Sequence, residues 1–415
     1  VKLAFVTPRY GPEVIGGAET AARMLAERLA RRPGWEVEVL TSCAPDHLTW
    51  ENVEPEGTSS LNGVLVRRFP TSSPRLLAYF ELDGRIRVAP AAASLEESRR
   101  WVALNGPMCP GLVDAVAETD ADVVAFYPYL FATTVDGLAV CPVPTVLHPA
   151  AHDEPALYLR AFRQSFLGVD GLVYHTRAER QLVESVFPVG SQPQIVLGLG
   201  VDDPTPPRRE GSEILGLGGR PYLCYLGRVD EHKGCGMLAE FFATYKERHP
   251  SDLALALVGP LSGPPPDHPD IVATGTVAES EKWDVLRGAT AMVSPSAYES
   301  FSLVLLEAWT VGVPVVVNGT CAATMEHCRR SGGGLWFDTY ASFEAVVDRL
   351  VSDPALARTL AEAGARYTDT YYRWPALIDR YAGFVERIAA RGPNARLRPP
   401  RLASIEGGAA YVRKQ

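Results

Sequence analysis

Ser294-Pro295-Ser296-Ala297-Tyr298-Glu299-Ser300-Phe301-Ser302-Leu303-Val304-Leu305-Leu306-Glu307-Ala308-Trp309 is the stretch on which the reading of this chain turns. The apolar run Ala289 to Val293 before it reads as a short buried strand. A turn-rich loop follows. A helix is expected from about Ser302, with Leu303, Leu306 and Trp309 as its spaced apolar positions. Two carboxylates bracket the junction, Glu299 in the loop and Glu307 inside the helix. In an α/β protein such a junction is a ligand site, because the N–H groups and dipole of the helix face the crevice beyond the strand ends.

Outward from this stretch the chain alternates short strands and helices. Leu3–Val6, Glu36–Thr41, Val64–Arg68, Asp122–Phe126, Thr145–Leu147 and Gly171–Tyr174 read as strands of a first half. Tyr222–Leu226, Leu253–Val258, Ile271–Ala273 and Pro314–Val317 join Ala289–Val293 in a second. Helices are expected at Ala18–Arg31, Ala178–Val186, from about Cys235, at Glu281–Arg287, Ser342–Val351, Pro354–Ala365 and Ala376–Ala389. Such alternation implies parallel, doubly wound sheets. The proline- and charge-rich run Asp202 to Gly211 reads as an interdomain linker. Residues 70–110 give no regular pattern, and the Pro/Gly/Arg-rich tail from Arg391 reads as mobile and solvated.

At 415 residues, two or three domains are expected. A net charge of −9 argues against a general nucleic-acid binder. The seven cysteines are scattered without CxxC spacing, as expected for small buried hydrophobes in a reducing cytoplasm. No run of about 18 apolar residues is present to span a bilayer. The N-terminus reads as a strand rather than a signal peptide. A cytoplasmic protein without a transmembrane segment is expected, and peripheral membrane association is compatible with this.

Two further loops carry chemistry. In Gly227-Arg228-Val229-Asp230-Glu231-His232-Lys233-Gly234 a strand ends, a glycine permits a tight turn, and two cations follow near a helix start. Arginine offers a planar fork to phosphate oxygens and lysine a point charge, so the pair can neutralise a leaving diphosphate without a metal. Near the N-terminus, Gly16-Gly17 opens the helix after the first strand, a phosphate-cradle arrangement that is not GxGxxG. Glu307 has the chemistry to accept two hydrogen bonds from the vicinal hydroxyls of a ribose. Glu299 sits among the backbone donors of Ser300, Phe301, Ser302 and Leu303, which suit the hydroxyls and phosphate of a sugar donor.

Together these stretches resemble the family 4 retaining glycosyltransferases of GT-B fold. The matching pieces are Gly16-Gly17-Ala18-Glu19, His152-Asp153-Glu154-Pro155, Gly227-Arg228 with Lys233, Val258-Gly259, Gly275 with Val277, and the Glu299 to Pro314 block with seven residues between Glu299 and Glu307. The resemblance implies two Rossmann-like doubly wound domains facing each other across a cleft, at 1–202 and 213–372. A linker at 203–212, a helix at 373–390 crossing back to the first domain and a mobile tail at 391–415 complete the scheme. It further implies that a hexose-type sugar moves from a nucleoside diphosphate sugar, a UDP-sugar foremost, to an acceptor hydroxyl with retention at the anomeric carbon. In this scheme Gly16, Gly17, Arg228, Lys233, Ser302 and Leu303 hold the diphosphate. Glu307 holds the ribose, Gly275 and Val277 meet the base, and Glu299, Ser300, Phe301 and Ser302 hold the sugar. His152 and Glu299 are the catalytic pair; His152 is preferred to His148 because His152-Asp153 matches the family pattern better. No cofactor or metal is implied. The chain departs from the family at Glu299-Ser300-Phe301-Ser302, which has serines where glycines are common.

Other readings were weighed. A glycosidase acid pair at Glu299/Glu307 does not need a diphosphate loop. A nicotinamide-dependent oxidoreductase needs GxGxxG, which neither half has. A phosphorylase needs a pyridoxal lysine motif. A non-catalytic nucleotide-sugar-binding homologue and a sugar-nucleotide epimerase stay as alternatives. The acceptor, a small molecule, glycan or lipid, is expected to meet Arg9, Tyr10, Trp50 and Tyr129 on first-domain loops.

Overall fold

Short runs of Val, Leu, Ala and Ile, apolar on both faces, favour central strands of parallel sheets. A computed structural model describes residues 1–14, 16–393 and 399–403 and places these runs in two sheets. The chain divides into two compact units, residues 1–197 with 378–415, and residues 198–377.

The first unit carries β1 (Lys2–Val6), β2 (Glu36–Ser42), β3 (Gly57–Leu61), β4 (Val64–Phe69), β5 (Val123–Phe126), β6 (Thr145–Leu147), β7 (Gly171–Tyr174) and β8 (Gln194–Val196). Their order is β3-β4-β2-β1-β5-β6-β7-β8, parallel except for the β3–β4 hairpin at the edge. The second unit carries β9 (Tyr222–Leu226), β10 (Ala254–Val258), β11 (Ile271–Gly275), β12 (Ala291–Ser294), β13 (Val315–Asn318) and β14 (Gly334–Phe337). Their order is β11-β10-β9-β12-β13-β14, all parallel. In each sheet the winding reverses once, between β1 and β5 and between β9 and β12. Ligands of open α/β sheets bind beyond the carboxyl ends of the strands at such a switch point.

Several expectations are corrected. Residues 70–110 contain two helices, Leu77–Val88 and Leu95–Asn105. The run expected as a linker is pinned to the second unit, because the Asp284 carboxylate accepts the Arg209 N–H at 3.1 Å and Arg287 donates to the Thr205 carbonyl at 2.8 Å. The last helix, Trp374–Arg391, counts with the first unit from Ile378 onward. There Phe384 and Ile388 lie so close to Gly171 that a Cβ on that glycine would stand 2.9 Å from each. The tail is not wholly solvated. Leu402 is buried in the first unit's core, its N–H donates to Asp136 Oδ1 at 2.6 Å, and Arg99 donates to the Arg401 carbonyl at 2.6 Å. Residues 394–398 and 404–415 of the expected mobile tail lie outside the described residues.

Buried histidines give the fold a pH dependence. Burial lowers the pKa of His175 to about 4, and burial with the nearby Arg330 charge lowers that of His327 to about 3. Each is neutral when folded and titrates near 6.5 when unfolded, so its contribution is full above pH 6.5 and is lost as pH falls towards the folded value. At pH 5 the loss is about 2 kcal/mol per histidine. The melting temperature is therefore expected to fall between pH 7 and pH 5, and less steeply in His327→Gln. Equal slopes in the two proteins would refute this assignment.

Candidate functional site

The loops after β9 and β12 meet at the switch point of the second sheet. Gly227 and Gly259, at the ends of neighbouring strands, have φ of 148° and 139°. A Cβ on Gly259 would lie 2.0 Å from the Gly227 carbonyl oxygen, so these two turns pass each other only as glycines. After Gly227, the Arg228 guanidinium is held by the Asp230 carboxylate. The other oxygen of Asp230 accepts the Lys233 N–H at 2.8 Å, capping the short turn Glu231–Lys233. Asp230 thus organises both cationic residues, through the Arg228 side chain and the Lys233 backbone. Gly234, at φ 75°, then admits the second loop: a Cβ there would stand 2.7 Å from the Pro295 carbonyl oxygen.

That approach sets Lys233 Nζ 2.7 Å from Glu299 Oε1, with both side chains partly exposed. Glu299 lies in the loop from Pro295 to Ser302, before the helix Leu303–Thr310. The Asn318 amide, at the end of β13, anchors the loop by donating to the Pro295 carbonyl at 2.9 Å. Ser302 is the residue before the helix and has φ 69°. A left-handed serine costs about 1 kcal/mol or more and is a feature of ligand-binding turns. This is also one of the positions where the resemblance leads one to expect glycine. Phe301 takes part through its backbone. Its ring is buried edge-on to His327 at 4.8 Å and Tyr372 at 5.4 Å, so its backbone, and not its side chain, faces the loop's chemistry.

Glu307 lies on the same helix and is 7% exposed. Its carboxylate meets Lys282 Nζ at 2.9 Å. Lys282 comes from the helix Glu279–Arg287, bonds Glu279 at 2.5 Å, and stands 4.7 Å from the Trp283 ring centre. Burial pushes the Glu307 carboxyl up, and the Lys282 ammonium opposes that. For Lys282 burial pulls down, but Glu307 and Glu279 outweigh it and hold its pKa above the usual lysine value. Sequence reasoning missed Lys282: no motif contains it, and only the packing of two helices brings it to Glu307. At the end of β11, before that helix, Gly275 has φ 71°. Its carbonyl already accepts the Gly259 N–H at 2.9 Å and the Thr274 hydroxyl at 3.0 Å, so both lone pairs are used.

The remaining residues singled out in the sequence lie in the first unit. Gly16 precedes the helix Gly17–Leu29. A Cβ on Gly16 would stand 2.2 Å from Glu19 Oε2, whereas one on Gly17 would meet nothing. Arg9 is buried and donates to Glu19 Oε1 at 2.9 Å, so it braces the start of that helix. Three residues expected to meet an acceptor are core residues instead. Tyr10 is 3% exposed. Trp50 is 1% exposed, donates to the Asn105 carbonyl at 2.6 Å and packs edge-on to Phe131 at 5.6 Å. Tyr129 is buried against Phe162 and donates to Glu154 Oε1 at 2.9 Å. Aromatics on loops read alike in sequence whether they line a site or fill a core. Glu154 also lies 3.7 Å from His152 Nδ1, and the His152 ring is 29% exposed. His148 is buried, stacked on Tyr127 at 4.7 Å, with Nε2 2.8 Å from the Tyr381 hydroxyl.

All seven cysteines are buried and free. Among the described residues no cluster of His, Cys, Asp or Glu is arranged to hold a metal, and no helix is long and apolar enough to cross a membrane.

Residues 220–353, which contain both cationic and acidic loops, match the family model described as glycosyl transferases group 1. A D-inositol 3-phosphate glycosyltransferase of Kineococcus radiotolerans is 27% identical, over 92% of this chain and 94% of that protein. An alpha-maltose-1-phosphate synthase of Mycobacterium tuberculosis is 26% identical, over 94% of this chain and all of that protein. Among solved structures, sucrose-phosphate synthase from Thermosynechococcus elongatus superposes with a TM-score of 0.70 at 17% identity, over 94% of this chain and 99% of that one. Anabaena HepE in complex with UDP and glucose gives 0.67 at 15% identity, over 93% and 99%. With the fold shared along nearly the whole length and the family model lying over the loops just described, residues 220–353 form a glycosyl transferases group 1 domain, and the chain has the GT-B fold.

Proposed function

We propose that the chain is a retaining glycosyltransferase that moves a hexose-type sugar from a UDP-sugar to an acceptor hydroxyl. The observation that carries this is the Lys233–Glu299 pair, 2.7 Å apart, beside Arg228 at the ends of β9 and β12. An ammonium and a guanidinium already holding carboxylates are set to take up phosphate oxygens instead. In this reading Lys233, Arg228 and the N–H groups of Ser302 and Leu303 hold the diphosphate, and the family resemblance gives Gly16-Gly17 the same ligand. Glu307 holds the ribose and the Gly275 to Val277 backbone meets the base. Glu299 and the backbone of Ser300 to Ser302 hold the sugar, and the exposed His152 ring contacts it. The bond from the anomeric carbon to the diphosphate oxygen breaks, and the acceptor oxygen bonds to the same face of that carbon. The acceptor's proton passes to the leaving phosphate oxygen, so no separate base is needed. Stabilisation of the leaving charge is the main contribution of the protein.

Similarity to a D-inositol 3-phosphate glycosyltransferase supports glycosyl transfer, and the fold shared with HepE, one of whose structures holds UDP-glucose, supports a UDP-sugar donor. A thermal-shift comparison of UDP, ADP, GDP and UDP-glucose tests it. A ligand at one hundred times its Kd adds about 2.7 kcal/mol, a shift of several degrees. UDP and UDP-glucose are expected to stabilise the protein most, and no shift with any nucleotide would overturn the reading. NMR of the transferred sugar then checks retention through its anomeric coupling.

A further inference from the structure

Glu179 is a carboxylate buried in the first unit, with its side chain wholly removed from solvent. It lies in the first turn of the helix Arg177–Val186 after β7, where Thr176 caps the helix by accepting the Glu179 N–H at 3.0 Å. The Thr176-Arg177-Ala178-Glu179 spacing is that of a capping box, in which the glutamate reaches back to its own cap. Here it does more. Oε2 accepts the His175 N–H at 2.6 Å, while Oε1 crosses to a different strand end and accepts the Ala151 N–H at 2.8 Å. The N–H groups of Thr176 and Ala150 also bond to it. Ala150 has φ 51°, a left-handed alanine in the turn between His148 and His152. Such a conformation persists only where its surroundings impose it. Burial pushes the Glu179 carboxyl up to about 8, and the four N–H donors oppose that without cancelling it.

We propose that Glu179 is a positioning residue for His152: it clamps the Ala150–Ala151 backbone in the strained turn that presents the His152 ring. The inference rests on the donor-contacting role given to His152 above. Glu179 touches no substrate and acts through the loop. The Glu154 carboxylate, bonded to Tyr129, lies 3.7 Å from His152 Nδ1, so the ring's environment depends on where the turn sits. His175, hydrogen-bonded to Tyr127, backs the carboxylate from its own strand end.

The test uses the full chain and UDP-glucose, with slow hydrolysis to UDP and glucose as the readout so that the acceptor need not be known. Glu179→Gln keeps the shape but turns an amide NH2 towards backbone N–H donors. It is expected to lower kcat about tenfold or more while the Kd for UDP, bound through the second unit, stays within twofold. Glu179→Asp, which keeps the carboxyl as acceptor, is expected to recover part of the rate by reaching one loop N–H. The deciding comparison is with His152→Ala. If Glu179 acts through His152, adding Glu179→Gln to His152→Ala lowers kcat little further. A general structural role would instead give losses that multiply, or a loss confined to melting temperature with kcat unchanged, and either outcome overturns the inference. Failure of the unaltered chain to bind UDP and turn over UDP-glucose overturns the reading beneath it.

Discussion

Lys233→Ala is expected to lower kcat/KM for the sugar donor by about 10²–10³-fold, with a melting temperature close to that of the unaltered chain. The size follows from what a single donor aimed at developing charge is worth in a preorganised site. The intact fold follows from exposure. The Lys233 and Glu299 side chains are 31% and 20% exposed, and a pair so placed contributes at most about 1 kcal/mol to stability. The loop's geometry survives as well, because Asp230 holds the Lys233 backbone N–H and not its ammonium. Steady-state rates with UDP-glucose, paired with a melt, check both halves of the claim. A loss below threefold would mean that the ammonium serves only Glu299.

Glu307→Ala should cost both affinity and stability. A hydrogen bond to a charged group is worth about 1.5–3 kcal/mol, so loss of the ribose contact should raise the Kd for UDP about 10- to 100-fold. The same change leaves the Lys282 ammonium in a site that is 15% exposed. Removing one partner of a buried pair costs roughly 3–5 kcal/mol, and the lower end applies here because Glu279 still bonds Lys282. The two effects separate in the double variant Glu307→Gln with Lys282→Met. An apolar replacement for the cation should recover most of the stability while UDP affinity stays low. UDP binding that returns together with stability would show that Glu307 serves the fold and not the nucleotide.

The parts of the site legible in sequence are local. The Glu299 to Glu307 spacing and the Gly227 to Lys233 loop each lie within one strand-loop-helix unit, where near neighbours in sequence are near neighbours in space. Two local signals were present and went unused. Asn62-Gly63, both at positive φ, turns the β3–β4 hairpin, and its polar strand Gly57–Leu61 has no apolar alternation to announce it. Ser94 and Glu97 form a capping box at the head of Leu95–Asn105, in a region read as irregular. By contrast Leu77–Val88 buries only Leu82 and Ile86 along its length and gives little period to find.

The sequence by itself determined the α/β class, both sheets' central strands and the two loops that meet beyond β9 and β12, because hydrophobic period and turn chemistry act over a few residues. Only the tertiary structure decided which charged groups face one another. Lys282 meets Glu307 across two helices, Glu179 reaches Ala151 from a different strand end, and Arg9 closes on Glu19. It also decided that Trp50 and Tyr129 fill a core, and that Leu402 is buried although it stands in a proline- and arginine-rich stretch. Burial and long-range pairing depend on where the chain returns in space, and no spacing along the sequence records that.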